Sequence, residues 1–459
     1  ARAPRRLAAH EVGAVTAIME PAKPTGWTEA HAERHLRSLE LFGMRFGLDR
    51  MRRMMTVLGS PERSKIGQRF DTVHVLGTNG KSSTTRMTAA ILQRHGLRTG
   101  AYLSPHLVSY RERVLIDGGE LHAEDFAAAV ARASWAAERV NRTLAEDDHV
   151  TQFELLTAAA LWEMARQEVD VAVVEAGLGG RYDATSVIGA PVTVLTNVGL
   201  EHTRWLGPTI KDIAEEKLAA LRPRAVLVLG EDLAAPALAV AERVAHEREA
   251  PIVRPPAVPL AEELLARGAF QRRNFALARA AAEAYLELAG VPLDAHAVAR
   301  AARSSDVPGR LQLVGESPPT VFDGAHNPDA VAALVASLPD VLAPAPLALV
   351  LGVLEDKDAA AMLASLLPAC ARAWFTAPPS SRALSPAALQ SLARQLGFDA
   401  STCEPRPARA LEQARSWALA HGGAVLATGS VYLVGDLLAQ AGRSDTLTVQ
   451  GTGPRSFAR

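Results

Sequence analysis

Residues 72–96 read TVHVLGTNGKSSTTRMTAAILQRHG. A Val-rich apolar run leads into a Gly-rich turn, and an Ala/Leu-rich amphipathic stretch follows, which is the order strand, turn, helix. A helix N-terminus presents unpaired backbone N–H groups, so a glycine turn opening onto it makes an anion site. Lys81 adds a point charge suited to the β/γ-phosphates of a nucleotide, and Ser82 or Ser83 can ligate Mg²⁺. Gly77 to Gly80 is spaced more tightly than GxxxxGK[ST], so the generic pattern is not met. The plain alternative is a βα turn that binds nothing.

Outward from this segment, apolar runs alternate with amphipathic stretches, the pattern of βα units around a mostly parallel sheet. Expected strands are 73–76, 99–103, 169–175, 192–196 and 225–229, followed by a helical block to about 302. A second series is expected at 320–322, 347–351, 373–376 and 424–427. Between the two series lies SSDVPGRLQ, whose Pro308-Gly309 pair punctuates the chain. Domains of 1–306 and 307–459 are therefore expected, with a frayed N-terminal arm and a disordered tail from about 442.

The chain has 459 residues, 49 Lys+Arg against 50 Asp+Glu, and a net charge of -1. That balance excludes a nucleic-acid binder working by bulk charge. No apolar run is long enough to span a bilayer, so no membrane association is expected. The two cysteines, Cys370 and Cys403, lie far apart, which offers neither a disulfide framework nor a thiolate zinc site and fits a reducing, cytoplasmic compartment. Only six of the basic residues are lysines. Each Lys therefore draws notice, because Lys can lose its proton and Arg cannot.

The motifs then accumulate in order. After GTNGK come YLSPHLVSYRERVLIDG at 102–118, TQFELLT at 151–157, EAGLGGRYDATS at 175–186, TNVGLEHTRWLG at 196–207 and IAEEKLA at 213–219. The second series carries VPGRLQ at 307–312, FDGAHNPDA at 322–330, GVLEDKD at 352–358 and ATGSVYLVGD at 427–436. Across roughly 46–438 the chain resembles the folylpolyglutamate synthase/dihydrofolate synthase family of the Mur ligase superfamily. The resemblance implies an α/β fold: a P-loop-type, mostly parallel ATPase domain and a smaller Rossmann-like C-terminal domain.

It also implies roles. Gly77, Thr78, Asn79, Gly80, Lys81, Ser82 and Ser83 would hold ATP, with Asn274, Arg310 and Asp323 reaching it from the far side of a cleft. Ser83, Ser104 and Glu175 would bind one Mg²⁺; His202 and a carbamylated Lys217 would bind a second, and K⁺ is a further candidate cation. The residues themselves support part of this. Glu175 ends an apolar strand at the edge where open α/β sheets bind ligands, and GLGG follows it. Lys217 has only Ile213, Ala214, Ala220 and Leu221 at helical spacings of three and four, so it is expected to face the interior, where burial favours the neutral amine. A snorkelling lysine is the alternative.

For the acceptor, the resemblance implies Gly47, Leu48 and Asp49, then Thr151, Gln152, Phe153 and Glu154, then Arg181, Tyr182 and Asp183. Phe153 could stack on a flat ring that Glu154 anchors, yet Thr-x-x-Glu reads equally as a helix capping box. Arg113, His326 and Ser430 are candidates for the incoming glutamate, with Lys81, Lys217, His202 and His326 in catalytic roles. The expected reaction joins L-glutamate to dihydropteroate, to folate, or to both, through an acyl phosphate. The expected state is a monomer acting on small molecules. Two departures from the family pattern stand out: Ser82 where a glycine is usual, and Glu201 where an aspartate is usual. Competing readings are a Mur-type ligase for another carboxylate, and a P-loop nucleotide switch, which would leave the PGR and DGAHNP motifs unexplained.

Overall fold

The computed structural model describes residues 26–39, 46–60, 70–255 and 263–441. The expected N-terminal arm and C-terminal tail lie largely outside them. Contacts divide the chain into two units. The first takes residues 1–105, 109–265 and 273–305; the second takes 106–108, 266–272 and 306–459.

The first unit is built on eight strands: β1 (Asp71–Leu76), β2 (Thr99–Tyr102), β3 (Val114–Ile116), β4 (Gly119–Glu120), β5 (Val171–Glu175), β6 (Val192–Leu195), β7 (Val226–Leu229) and β8 (Ile252–Val253). Their order is β4-β3-β2-β5-β1-β6-β7-β8. The six strands from β2 to β8 in this order are parallel, and β3 and β4 join antiparallel at one edge. Every residue of β5 is buried, because a parallel sheet is covered on both faces, which explains why VAVVE reads as one continuous run. The β3–β4 hairpin was not among the expected strands. Its signal was present in Ile116-Asp117-Gly118-Gly119, since Asp117 and Gly118 take φ of 49° and 79° and so form the two-residue turn that suits the twist of paired strands.

The second unit carries β9 (Gln312–Glu316), β10 (Pro319–Phe322), β11 (Leu347–Leu351), β12 (Arg372–Phe375), β13 (Ser401–Cys403) and β14 (Ala424–Thr428), ordered β13-β12-β11-β14-β10-β9. Only β9 runs antiparallel to its neighbour. Short or partly exposed strands such as β8, β9 and β13 lack the buried apolar run that marks the others, and they were the ones not anticipated. Cys370 and Cys403 are free thiols, and no described helix is long and apolar enough to cross a membrane.

One buried polar chain ties the first sheet to the loop after β5. His74, in the middle of the central strand β1, lies 2.8 Å through Nε2 from Thr185 Oγ1, and Thr185 donates its backbone N–H to Asp183 Oδ1 at 3.0 Å. Burial first, then the charge of Arg222, lowers the His74 pKa to about 3. Between that value and 6.5 the unfolded chain binds a proton that the folded chain does not, so His74 makes stability fall as pH drops below 6.5. We expect His74→Gln to flatten the acid side of the stability profile by up to about 1.4 kcal/mol per pH unit. Unfolding midpoints at pH 7 and pH 4.5 check it; equal slopes in both proteins would contradict the assignment.

Candidate active site

The C-terminal ends of β5, β1 and β6 are neighbours in the sheet, and the site is assembled from the loops that leave them. Gly77 follows β1 with φ 145°, and any Cβ there would overlap the Thr196 hydroxyl. Glycine is therefore required by space as well as by backbone conformation. Thr78 N–H donates to the Asn197 carbonyl at 3.1 Å. Asn79 N–H donates to Asn197 Oδ1 at 2.8 Å, and Thr196 Oγ1 donates to the Asn79 carbonyl at 2.7 Å. These bonds continue the β1–β6 pairing past the strand ends. They fix the loop before Gly80, in the left-handed region at φ 79°, starts the helix Lys81–Arg94. Sequence reasoning missed Thr196 and Asn197 as supports; two polar residues directly after the apolar run VTVL were the available signal.

Glu175 is 1% exposed. Its Oε1 accepts from the Ser82 hydroxyl at 3.0 Å and its Oε2 from the Ser104 N–H at 3.1 Å. Of the two loop serines, Ser82 is thus the one that reaches the carboxylate, while Ser83 is buried on the helix. Lys81 Nζ donates to the Thr78 carbonyl at 3.0 Å, which curls its stem back over the loop. Lys217, on the helix Ile210–Leu218, is buried, and its Nζ donates to the Gly77 carbonyl at 2.7 Å. The snorkelling alternative does not hold. Burial, then the Lys81 charge, lowers the Lys217 pKa to about 7, against the opposing pull of Glu201 and Asp183. An amine held there spends much of its time unprotonated at neutral pH.

His202 sits on the loop after β6 with φ 53°, and its carbonyl accepts from Trp205 and Leu206 N–H, which holds the left-handed turn. Its Nε2 is 3.7 Å from Glu201 Oε1. Among the described residues no group of three His, Cys, Asp or Glu side chains could cage a metal. What is present is one buried carboxylate with the Ser82 hydroxyl beside it. That set fits Mg²⁺, which keeps its waters and takes phosphate oxygens, and does not fit an all-protein cage.

Other expected residues are placed as follows. Asn274 belongs to the first unit, beside the phosphate loop itself: a Cβ on Gly80 would come within 2.5 Å of its Oδ1. This corrects its grouping with Arg310 and Asp323, which are in the second unit, and the reason is that the helix Ala269–Leu288 passes residue 273 into the first. Glu154 completes the capping box with Thr151 and receives Arg50 Nε at 3.1 Å. The capping box is therefore formed, and the carboxylate is held from within the protein by Thr151 and Arg50. Gln152 donates to Tyr110 Oη and to the Leu36 carbonyl. Phe153 packs over Gly177, where a methyl would meet its ring at 2.5 Å.

Asp183 is buried and accepts from Leu178 and Thr185 N–H; burial raises its pKa against those bonds. Arg181 pairs with Glu216 at 2.8 Å. Leu48 caps the helix Asp49–Val57, Gly47 precedes it, and Asp49 pairs with Arg53. Arg113 is buried with its Cζ 5.5 Å from the Tyr110 ring. In the second unit, Asp323 accepts from Leu311 and Ala325 N–H, and Arg310 lies against Gly324. His326 Nδ1 is 2.8 Å from the Gly324 carbonyl, and Ser430 Oγ accepts from Tyr432 N–H.

Two family models match the chain: the Mur ligase middle domain over residues 75–234 and the Mur ligase glutamate ligase domain over 309–431. A probable bifunctional folylpolyglutamate synthase/dihydropteroate synthase of Haloferax volcanii is 36% identical over 87% of the chain, which spans 49% of that protein. The chain therefore covers about half the length of that relative. The folylpolyglutamate synthase of Lacticaseibacillus casei is 34% identical over 74% of the chain and 84% of its own length. The structure of Mycobacterium tuberculosis folylpolyglutamate synthase complexed with ADP superposes with a TM-score of 0.84 at 31% identity, covering 91% of this chain and 99% of the other.

The loop geometry makes a direct prediction. Gly96→Ala meets open space and only the positive φ of 88°, so it should cost about 1 kcal/mol. Gly77→Ala adds the clash with Thr196 and should cost about 1–3 kcal/mol more. Denaturant midpoints of the two variants measure the difference, and equal losses would mean that the loop is not held against Thr196.

Proposed function

The chain belongs to the folylpolyglutamate synthase/dihydrofolate synthase family of the Mur ligase superfamily, a family of ATP-dependent ligases, and we propose that it joins L-glutamate to folates and to dihydropteroate. The observation that carries this reading is the convergence of Lys81, Ser82, Glu175 and Lys217 around one phosphate-loop backbone.

A carboxylate oxygen is too poor a leaving group for an amine to displace. Transfer of the γ-phosphoryl to the acceptor carboxylate gives an acyl phosphate; attack by the glutamate nitrogen then expels phosphate through a tetrahedral intermediate. Mg²⁺, when bound, neutralises charge on the transferring phosphoryl. The protein's own part is placement and charge. The backbone N–H groups at the start of the helix Lys81–Arg94 and the Lys81 ammonium receive the phosphates. Glu175, with Ser82, would hold the first Mg²⁺; of the other expected ligands, Ser83 follows Ser82 in the sequence and Ser104 donates its N–H to Glu175.

Lys217 would serve as a ligand for a second Mg²⁺ together with His202 after its neutral amine adds to CO₂, losing a proton to give a carbamate. A buried amine thereby becomes an anionic oxygen donor. Asp183, fixed by its backbone bonds and by Thr185, would shape the acceptor pocket with Gly47, Leu48, Asp49, Arg181 and Phe153. In the second unit, His326 and Ser430 would hold glutamate carboxylates. The reducing environment suited to two free thiols is the cytoplasm.

Labelled glutamate with dihydropteroate or tetrahydrofolate, assayed separately, tests the substrates. Incorporation with both is expected; with tetrahydrofolate alone the synthase half fails, and with neither the substrate assignment fails. Lys81→Ala should retain its fold and lose ADP release by at least about a hundredfold. Near-normal turnover in that variant would remove the phosphate-loop assignment. Lys217→Arg should be inactive, since a guanidinium forms no such carbamate, whereas Lys217→Ala should regain part of its turnover with added short carboxylates. An active Arg variant would overturn the lysine's role.

A further inference from the structure

Three aromatic side chains from separate segments of the first unit meet at its surface. The Phe46 ring centroid is 5.5 Å from Trp205 and 5.9 Å from Tyr182, with interplanar angles of 61° and 63°. All three remain open to solvent, at 45%, 40% and 48% exposure. Tyr182 lies on the loop after β5, Trp205 on the one-turn helix Thr203–Leu206 in the connection after β6, three residues beyond His202, and Phe46 precedes the helix Asp49–Val57. Both connections leave the sheet at the edge where Glu175 stands. Edge-to-face packing fixes the rings against one another while leaving ring surface free, the geometry that receives another flat ring.

The second observation is a charge. Arg204 Cζ stands 5.1 Å from the Trp205 ring, and among the described residues its guanidinium makes no ion pair or hydrogen bond. An exposed guanidinium beside an aromatic platform is complementary to a ligand that carries an aryl ring and a carboxylate a few bonds apart.

We infer that Trp205, with Phe46 and Tyr182, is the platform for the aryl ring of the acceptor, and that Arg204 receives a carboxylate the reaction leaves untouched. This rests on the function proposed above and adds a division of labour to it. An acceptor that already carries a glutamyl group presents a free α-carboxylate beside the one that reacts. An acceptor without glutamate has a single carboxylate, which is consumed. The platform serves both kinds, while Arg204 favours the glutamylated one.

Equilibrium dialysis of the full chain with folate and with pteroate, in parallel with turnover on the reduced acceptors, separates the possibilities. Trp205→Leu should weaken both ligands about tenfold, with the KM for ATP and the thermal midpoint as in the parent, and Phe46→Leu should act in the same direction. Arg204→Ala should reduce the preference for folate over pteroate about tenfold. Equal affinities in parent and variants, with ligation intact, would overturn the platform and leave the proposed function standing. An Arg204→Ala variant with the parent's folate-to-pteroate ratio would overturn the guanidinium's role. A parent that neither binds nor ligates any of these acceptors would instead bring down the function itself.

Discussion

The loop that follows β1 is held by hydrogen bonds to the residues that follow β6, and the site is built on that attachment. Thr78, Asn79, Thr196 and Asn197 continue the strand pairing beyond the sheet, so that the Gly-rich turn is a fixed cradle before any ligand arrives. A preformed set of N–H donors spends no binding energy on ordering itself. The same attachment explains why Gly77 has no room for a side chain, and why the Gly77 carbonyl is available to the Lys217 amine.

Two lysines share this cradle in different electrical states. Lys81 reaches the loop from the helix it begins and stays within reach of solvent. Lys217 arrives from a helix about 140 residues further on, fully enclosed, and its neighbour's charge adds to the effect of burial in favouring the neutral amine. A buried ammonium with only one carbonyl acceptor would be costly. A lysine that can surrender its proton avoids that cost and becomes chemically reactive, which is the property the proposed carbamate uses.

The loop after β5 rests on a further fixed element. His74, Thr185 and Asp183 form a chain of buried polar contacts from the central strand to the residues flanking Tyr182. Glu154 and Arg50 do the same for the helix Gln152–Arg166 and the helix Asp49–Val57. These carboxylates are occupied in holding segments in register, which leaves the rings of Phe46, Tyr182 and Trp205 as the open surface between segments.

The alternation of buried strands and helices along the chain, the phosphate loop, the edge position of Glu175 and the inward face of Lys217 were legible in the sequence, because each is written in a local period or a short spacing. Burial on both faces of a parallel sheet gives an unbroken apolar run, and a glycine turn before a helix gives an anion site wherever it occurs. The choice of Ser82 over Ser83 at Glu175, the pairing of Glu154 with Arg50 and the seat of Asn274 beside Gly80 were decided only by the tertiary structure. So was the meeting of three aromatic rings. Those outcomes depend on partners about 90 or more residues apart along the chain, and a side chain's neighbours across a sheet are fixed by strand order and register, which no local pattern encodes.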